Sequence, residues 1–266
     1  MAEDPDLKVG CQTIVWGSGA IRADLPRVLK EVANCGYQGV EIGARHLDLS
    51  EIGPTKGRLV ENSLELVGLH ANRSCVSDEE ATIGFPEGRR ILEAIIELEG
   101  DHLIISGQPS GQELANLESL ASIADSSGVT VCYHNHYREI EDDYRGLRRI
   151  LDSTDPDSVG LALDLGWVHR AGECAEDAVG DFMDRVRIFH FKDVVGVLPE
   201  ERDNLTGDLA AAVEIGEGDI CWTHIVEMVT DRGFSGWIVV EQDATEKSPQ
   251  ASSCQSRRYL REVCGI

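Results

Sequence analysis

Two kinds of hydrophobic pattern alternate along the chain. Short apolar runs, typical of buried strands, are separated by longer segments in which apolar residues recur every three to four positions, the spacing of amphipathic helices. The predicted strands cover residues 9–16, 39–42, 69–73, 102–106, 129–136, 159–164, 186–191 and 237–241. The predicted helices cover residues 23–34, 58–66, 86–98, 112–125, 145–151, 175–182, 220–231 and 251–263. Strands that alternate with helices over mostly short links are typical of a parallel α/β fold.

A doubly wound sheet and a closed barrel both show this alternation, and two features favour the barrel. The pattern contains eight strand–helix units, and polar residues end at least four of the strands instead of marking one crevice. In the run VGLALD, Gly160 and Ala162 share a face with Asp164, and small residues suit a crowded barrel interior. We therefore predict a single (β/α)8 TIM barrel domain over residues 1–266.

The ends of one predicted helix carry recognisable signals. Asp24 precedes Leu25 and Pro26, which suits an N-cap followed by a proline in the first turn. Gly36 follows the last apolar position of the segment and suits the residue after a helix C-cap. We therefore expect this helix to lie between Asp24 and Gly36.

Net charge and hydropathy exclude several partners. The chain carries 48 acidic against 24 basic residues, a net charge of −24, so we expect no nucleic-acid partner. It has no run of 18 apolar residues, and residues 1–8 are acidic and polar. We therefore expect no membrane partner, no secretory signal and a cytoplasmic protein.

The eight cysteines match no zinc-binding spacing, and no CxxC pair occurs. We interpret all of them as reduced residues that serve as small hydrophobic side chains. Cys132 and Cys221 lie in apolar stretches of sequence, which agrees with that interpretation.

Candidate metal ligands follow the last four predicted strands. Because the C-terminal ends of barrel strands meet at one mouth, Glu139, Asp164, His190 and Glu241 are expected to surround one divalent metal. Three carboxylates and one imidazole favour Mn²⁺, with Mg²⁺ or Co²⁺ as alternatives. Glu139 has the opposite strand parity to His136, so this set requires a turn or bulge after His136.

Six segments together resemble the xylose isomerase-like (β/α)8 superfamily, in its branch of sugar phosphate isomerases/epimerases and inosose dehydratases. They are GVE (39–41), YHNHxxE (133–139), GxxxDxGW (160–167), HFKD (190–193), GEGD (216–219) and GWxVVEQD (236–243). The segments occur in order and span most of the chain. The resemblance implies the barrel fold and the same four metal ligands.

The resemblance also implies proton removal next to a carbonyl group that the metal polarises. Glu139 and Glu241 are the predicted proton-transfer pair, one on either side of the substrate. Lys192 is the predicted cationic donor to the enediolate, with His136 and His70 behind it.

Other polar and aromatic residues near strand ends are candidates for substrate contact, and several have structural alternatives. The candidates are His70, Glu41, Trp16, Trp167 and His134. Either tryptophan could instead pack in the core, His70 could be structural, and Glu41 could bond behind the metal ligands. Lys192 has an alternative as an exposed lysine paired with Asp193.

The leading functional hypothesis is a metal-dependent isomerase or epimerase of a small keto-sugar or keto-polyol. A lyase on the same scaffold, either an inosose dehydratase or a 3-keto-sugar eliminase, is the alternative. An AP endonuclease is remote because residues 192–219 contain no histidine and position 167 is Trp. A non-enzymatic binder also remains open.

Two further properties concern the substrate and the assembly. The sequence shows no clear cluster of arginine and lysine that would mark a phosphate pocket, which favours an unphosphorylated substrate. The resemblance suggests a homodimer or homotetramer.

Overall fold

The strands close into a parallel barrel in the computed structural model, which describes residues 7–50, 52–109, 111–197 and 211–266. In chain order the strands are β1 (Leu7–Gln12), β2 (Gly39–Gly43), β3 (Glu65–Asn72), β4 (His102–Ser106), β5 (Thr130–His134), β6 (Val159–Asp164), β7 (Val186–Phe191), β8 (Asp193–Val194), β9 (Ala212–Val213) and β10 (Gly236–Val240). Strands β8 and β9 form a separate antiparallel pair, and β10 closes the barrel between β7 and β1. The eight-stranded barrel confirms the predicted TIM-barrel fold.

Helices follow the barrel strands as the hydrophobic spacing predicts, although the segment predicted as a helix over residues 58–66 ends within strand β3. They are α1 (Ser18–Ala23), α2 (Leu25–Asn34), α3 (Gly53–Glu61), α4 (Asp78–Thr82), α5 (Pro86–Glu97), α6 (Gln112–Asp125), α7 (Tyr137–Asp152), α8 (Leu165–Arg170), α9 (Ala175–Phe182), α10 (Trp222–Asp231) and α11 (Pro249–Tyr259). The short helices α1, α4 and α8 were not predicted, because five or six residues are too few to show a period. Helix α7 is interrupted by non-helical backbone at residues 141–144, so the predicted segment 145–151 matches its second part.

Local signals at the ends of α2 agree with the structure, whereas the predicted end of β1 was wrong. The carboxylate of Asp24 accepts a hydrogen bond from the Arg27 amide at 3.2 Å. Gly36 adopts a φ of +87°, which favours glycine.

Strand β1 stops at Gln12, and a 3-10 turn covers Thr13–Trp16.

The small residues of β6 face the barrel interior, where larger side chains from other strands fill the space. A cluster inside the barrel contains Val67, Ile104, Cys132, Ala162, Ile188, Trp237 and Val239. A Cβ atom on Gly160 would lie 2.5 Å from the Arg187 side chain, so this position has no room for a side chain. The branched residues Val159, Leu161 and Leu163 pack in the larger cluster between strands and helices.

A disulfide between Cys35 and Cys254 corrects the prediction that all cysteines are reduced. These residues are 219 positions apart, at the end of α2 and within α11. Closure of the barrel pairs β1 with β10, and so brings the helices that follow these strands together. Among the described cysteines that remain free, Cys132 is buried as expected, whereas Cys221 is exposed.

No helix in the described part of the chain is long and apolar enough to cross a membrane. Residues 1–6, which belong to the segment expected to lack a secretory signal, lie outside the described residues. The same holds for residues 198–210 of the long connection after β7.

Candidate metal centre

Four buried side chains converge at the C-terminal ends of β5, β6, β7 and β10. His134, Asp164, His190 and Glu241 each offer one ligand atom, and these atoms lie within 4.8 Å of one another. Nε2 of His134 lies 3.2 Å from Nδ1 of His190, 3.5 Å from Glu241 Oε2 and 3.6 Å from Asp164 Oδ2. Buried electron-pair donors at such separations need a proton or a cation between them.

The donor chemistry of this cluster fits a divalent metal. Two imidazole nitrogens and two carboxylate oxygens suit first-row dications. Asp164 Oδ2 makes no hydrogen bond in the described part of the chain, although it lies 3.1 Å from Lys192 Nζ. Nε2 of His190 lies 2.8 Å from Glu41 Oε2, the type of carboxylate contact that orients a metal-binding histidine. Glu41 thus contacts the cluster through His190, and its predicted contact with substrate stays a prediction.

Glu139 lies outside this cluster, and His134 takes the place predicted for it. The Glu139 carboxylate accepts hydrogen bonds from the Tyr133 hydroxyl at 2.6 Å and from the His136 amide at 3.1 Å. Strand β5 ends at His134, and His136 is already the N-cap of α7. Glu139 is therefore the third residue of a helix, where a glutamate side chain reaches back to the N-cap amide in a capping box. The predicted turn after His136 exists, but it directs Glu139 toward the backbone.

Asn135 holds the end of β6 in place. Its Nδ2 donates to the Asp164 carbonyl at 3.1 Å, and its Oδ1 accepts from the Asp164 amide at 2.9 Å. The backbone pairing of β5 with β6 ends at His134 and Ala162, and the Asn135 side chain continues the contact beyond that point. This paired contact positions the carboxylate of Asp164.

Lys192 is buried against three carboxylates, which excludes the alternative of an exposed lysine. Its Nζ lies 2.6 Å from Glu241 Oε1, 2.9 Å from Asp243 Oδ2 and 3.1 Å from Asp164 Oδ2. Burial lowers the pKa of Lys192, but the three carboxylates outweigh it and raise the pKa well above its usual range. The ammonium group also lies 4.7 Å from the centre of the Trp167 ring.

The GEGD segment supports the residue next to Lys192. The Asp193 carboxylate accepts hydrogen bonds from the amides of Gly216 and Gly218, at 2.8 and 3.0 Å. A Cβ atom on Gly218 would overlap this carboxylate. A Cβ atom on Gly166 would lie 2.6 Å from the Lys192 carbonyl. These glycines let three segments pack closely around the lysine.

A chain of polar contacts links the cluster to β3 and β4. His70 Nδ1 lies 2.9 Å from Glu41 Oε1, and His70 Nε2 lies 3.1 Å from Ser106 Oγ. Burial raises the pKa of Glu41, but His190 and His70 outweigh it and lower the pKa to about 2. Burial lowers the pKa of His190, but Glu41 and Glu241 outweigh it and raise the pKa to about 10.

His136 and the predicted tryptophans differ in their relation to this centre. Burial and then Lys192 lower the pKa of His136 to about 4, so its imidazole is neutral near pH 7. The His136 ring lies 5.7 Å from the half-buried ring of Trp167. Trp16 instead packs in the large core, and its Nε1 donates to Glu31 at 2.6 Å. The structure thus supports a site position for Trp167 and a core role for Trp16.

Sequence reasoning gave no role to Tyr133, Asn135, Ser106 or Asp243. Tyr133, Asn135 and Asp243 had an available signal, because each lies within one of the family segments, whereas Ser106 lies in none of them. Tyr133, Asn135 and Ser106 act through contacts with residues on neighbouring strands or with a helix start. Their importance depends on the strand register.

The known proteins that this chain resembles include both dehydratases and isomerases. Residues 29–263 match the model of the family described as xylose isomerase-like TIM barrel. An inosose dehydratase of Geobacillus thermodenitrificans is 23% identical, with all of both chains covered.

Two solved structures share the fold. A sugar phosphate isomerase/epimerase of Parabacteroides distasonis has a TM-score of 0.76 at 19% identity, covering 98% of this chain and 96% of that one. A probable 3-DHS dehydratase of Bacillus anthracis has a TM-score of 0.75 at 13% identity, covering 95% and 98%. Because the family model spans most of the sequence, the chain belongs to the xylose isomerase-like TIM barrel family.

Proposed function

We propose that the protein is a divalent-metal-dependent dehydratase that acts on a keto-polyol of the inosose type. The observation that carries this proposal is the position of Glu139. An epimerase of the predicted kind needs two carboxylates to exchange protons on opposite sides of the substrate. The capping interaction of Glu139 removes one member of that pair from the metal centre.

His134, Asp164, His190 and Glu241 would hold the metal. Mn²⁺ remains the first candidate, and two imidazoles make Co²⁺ a better alternative than Mg²⁺. When bound, such a metal polarises a substrate carbonyl and acidifies the adjacent C–H.

The chain's own residues supply a base and an acid for elimination. Neutral His136 accepts the proton from the carbon next to the carbonyl. The Lys192 ammonium donates a proton to the β-hydroxyl group, which leaves as water with the C–O bond electrons. The electrons of the broken C–H bond form the new C=C bond, so the product is an unsaturated ketone. Both groups lie beside the Trp167 ring, which places them at one part of the site.

Proton NMR in D₂O with the Mn²⁺-loaded protein tests this proposal. The panel contains keto-inositols, simple ketoses and 3-keto-glucosides. A keto-inositol should lose an α-proton signal and give an enone with ultraviolet absorption, and His136→Gln should abolish both changes. His224→Gln is the matched control, because His224 is exposed and lies far along the chain on α10. An inert keto-inositol, with metal bound, would refute an uncharged inosose as the substrate.

An isomerase or epimerase is the second candidate. The half-buried carboxylate of Asp243 favours it, because burial raises its pKa and it lies beside Lys192. Asp243 could then serve as a second proton-transfer group in place of Glu139. The same spectra separate the two functions, because an epimerase gives a deuterated stereoisomer and no enone.

A further inference from the structure

A cavity of about 680 Å³ lies beside the candidate metal centre and is lined by arginines from three separate elements. Arg22 is in α1, Arg45 follows β2 and Arg90 is in α5. His70 of β3 also lines the cavity, and its ring centre lies 5.0 Å from that of the cluster residue His134. The cavity therefore adjoins the metal centre at His70.

The charge of this cavity contrasts with that of the whole molecule. The chain has a net charge of −24, so an anion is repelled over most of the surface. The described lining residues include three arginines and only two acidic residues, Asp48 and Glu87. The Asp48 carboxylate already accepts two hydrogen bonds from Ser50, at 2.6 and 3.0 Å. No salt bridge joins the three arginines to any carboxylate within the described ranges.

The arginine-bearing segments are held together by polar contacts of their own. Arg22 Nε donates to the Arg45 carbonyl at 3.2 Å, and His46 Nε2 lies 2.9 Å from Ser18 Oγ. His46 lines the cavity, is 6% exposed, and its Nδ1 has no hydrogen-bond partner in the described part of the chain. Burial, then Arg45 and Arg22, lower the pKa of His46 to about 4, so it is neutral and can donate or accept one hydrogen bond. The three arginines are exposed where they line the cavity, so their guanidinium groups can reach an anion bound there.

We propose that this cavity is an anion-binding subsite, and that the substrate is a keto-sugar or keto-polyol carrying a carboxylate or phosphate group. The guanidinium groups bind the anion by charge-assisted hydrogen bonds, while the carbonyl end of the same molecule lies at the metal centre beyond His70. This inference rests on the proposed function for the reacting end of the substrate, and on the arginines alone for the anionic end. The expectation of an unphosphorylated substrate rested on the absence of an arginine and lysine cluster in the sequence, and here residues far apart in the sequence form such a cluster.

The test uses the Mn²⁺-loaded full-length protein and calorimetric titration with matched compounds. D-Fructose, D-fructose 6-phosphate and 2-keto-D-gluconate separate a neutral ketose from a phosphate and a carboxylate, and inorganic phosphate and malonate probe the anion site alone. At least one anionic sugar should bind about tenfold or more tightly than fructose. The variant Arg45→Gln/Arg90→Gln should remove that preference and leave fructose binding unchanged. Arg89→Gln is the control, because Arg89 is in the same helix and does not line the cavity.

The outcomes separate the subsite from the enzyme activity. Equal binding of neutral and anionic compounds, or an anion preference that survives in the double variant, would overturn the subsite even if the protein dehydrates neutral keto-inositols. Binding of phosphate or malonate that depends on Arg45 and Arg90 would support the subsite even if no compound loses an α-proton. The stronger of the phosphate and carboxylate responses identifies the class of anion.

Discussion

The most informative residue is Glu139, because its carboxylate bonds to a helix start and lies outside the cluster of four candidate ligands. A glutamate three residues after an N-cap can satisfy a free backbone amide, and here it also accepts the Tyr133 hydroxyl. Burial raises the pKa of Glu139, and the hydroxyl of Tyr133 opposes that effect. His134, at the last position of β5, faces the site instead.

Substitutions of His134 and Glu139 test which of the two binds the metal. We expect His134→Ala to weaken Mn²⁺ binding by about 100-fold or more. Loss of a direct metal ligand should cost at least as much affinity as loss of a residue that hydrogen-bonds to a ligand. Glu139→Gln should leave Mn²⁺ affinity unchanged, because its amide oxygen can still accept the backbone hydrogen bond. Calorimetry or electron paramagnetic resonance measures both affinities. The reverse ranking of the two variants would restore Glu139 as the ligand.

Metal affinity should rise with pH because a proton and a metal compete for His190. The pKa of His190 is raised to about 10, so the proton is bound at neutral pH and must leave when a metal binds. We expect an increase of about tenfold per pH unit between roughly pH 6 and 9, with release of about one proton. Titrations in buffers of different ionisation enthalpy count that proton. Glu41→Gln should weaken the pH dependence, because Glu41 helps to raise the pKa; an unchanged slope would contradict this account.

At the scale of elements, the loop from β5 to α7 organises the site. The segment YHNHxxE provides a cluster residue, a contact to β6, a neutral imidazole and a capping carboxylate within seven positions. This is possible because β5 ends at His134, so the side chains after it no longer alternate between the two faces of a strand. A strand two residues longer would have turned the same side chains toward other partners.

Asn135 provides a test at this scale. We expect Asn135→Ala to lower the free energy of unfolding by about 1–3 kcal/mol, since it leaves the buried Asp164 amide without its acceptor. Mn²⁺ affinity should also fall, by about tenfold, because Asp164 loses its support. Asn62→Ala is the matched control, as the half-buried Asn62 side chain donates to the Arg58 carbonyl of its own helix. Urea unfolding measures the stabilities, and equal losses in both variants would contradict a special role for Asn135.

At the scale of the whole molecule, barrel closure joins the two ends of the chain. Strand β10 pairs with β1, and the disulfide links the helices that follow them. The match of residues 29–263 to one family model accords with this continuous architecture. The single domain over residues 1–266, the cytoplasmic location, the homo-oligomer and the lack of nucleic-acid partners stay predictions.

Removal of the disulfide tests its contribution to stability. We expect Cys35→Ala/Cys254→Ala to lower the free energy of unfolding by about 2–5 kcal/mol, because the cross-link restricts the unfolded chain over a long loop. Cys174→Ala, at an exposed free cysteine, should change little. Urea unfolding with and without a thiol reductant makes the measurement. An unchanged midpoint for the double variant would show that the cross-link adds nothing to stability.

The sequence alone was sufficient for the barrel and for much of the site. Alternating periods predict the strand–helix units, and Asp164, His190 and Glu241 converge because parallel strands end at one mouth. Both inferences use only neighbouring positions in the sequence and a general property of barrels, so they need no knowledge of individual contacts.

Only the tertiary structure decided the features that depend on a helix start or on distant segments. The start of α7 at Tyr137 placed His134 in the cluster and Glu139 outside it, a difference that hydrophobic periodicity is too coarse to show. The disulfide and the arginine-lined cavity join residues that are far apart in the chain. Closure of the barrel created these proximities, and no local pattern of residues records them.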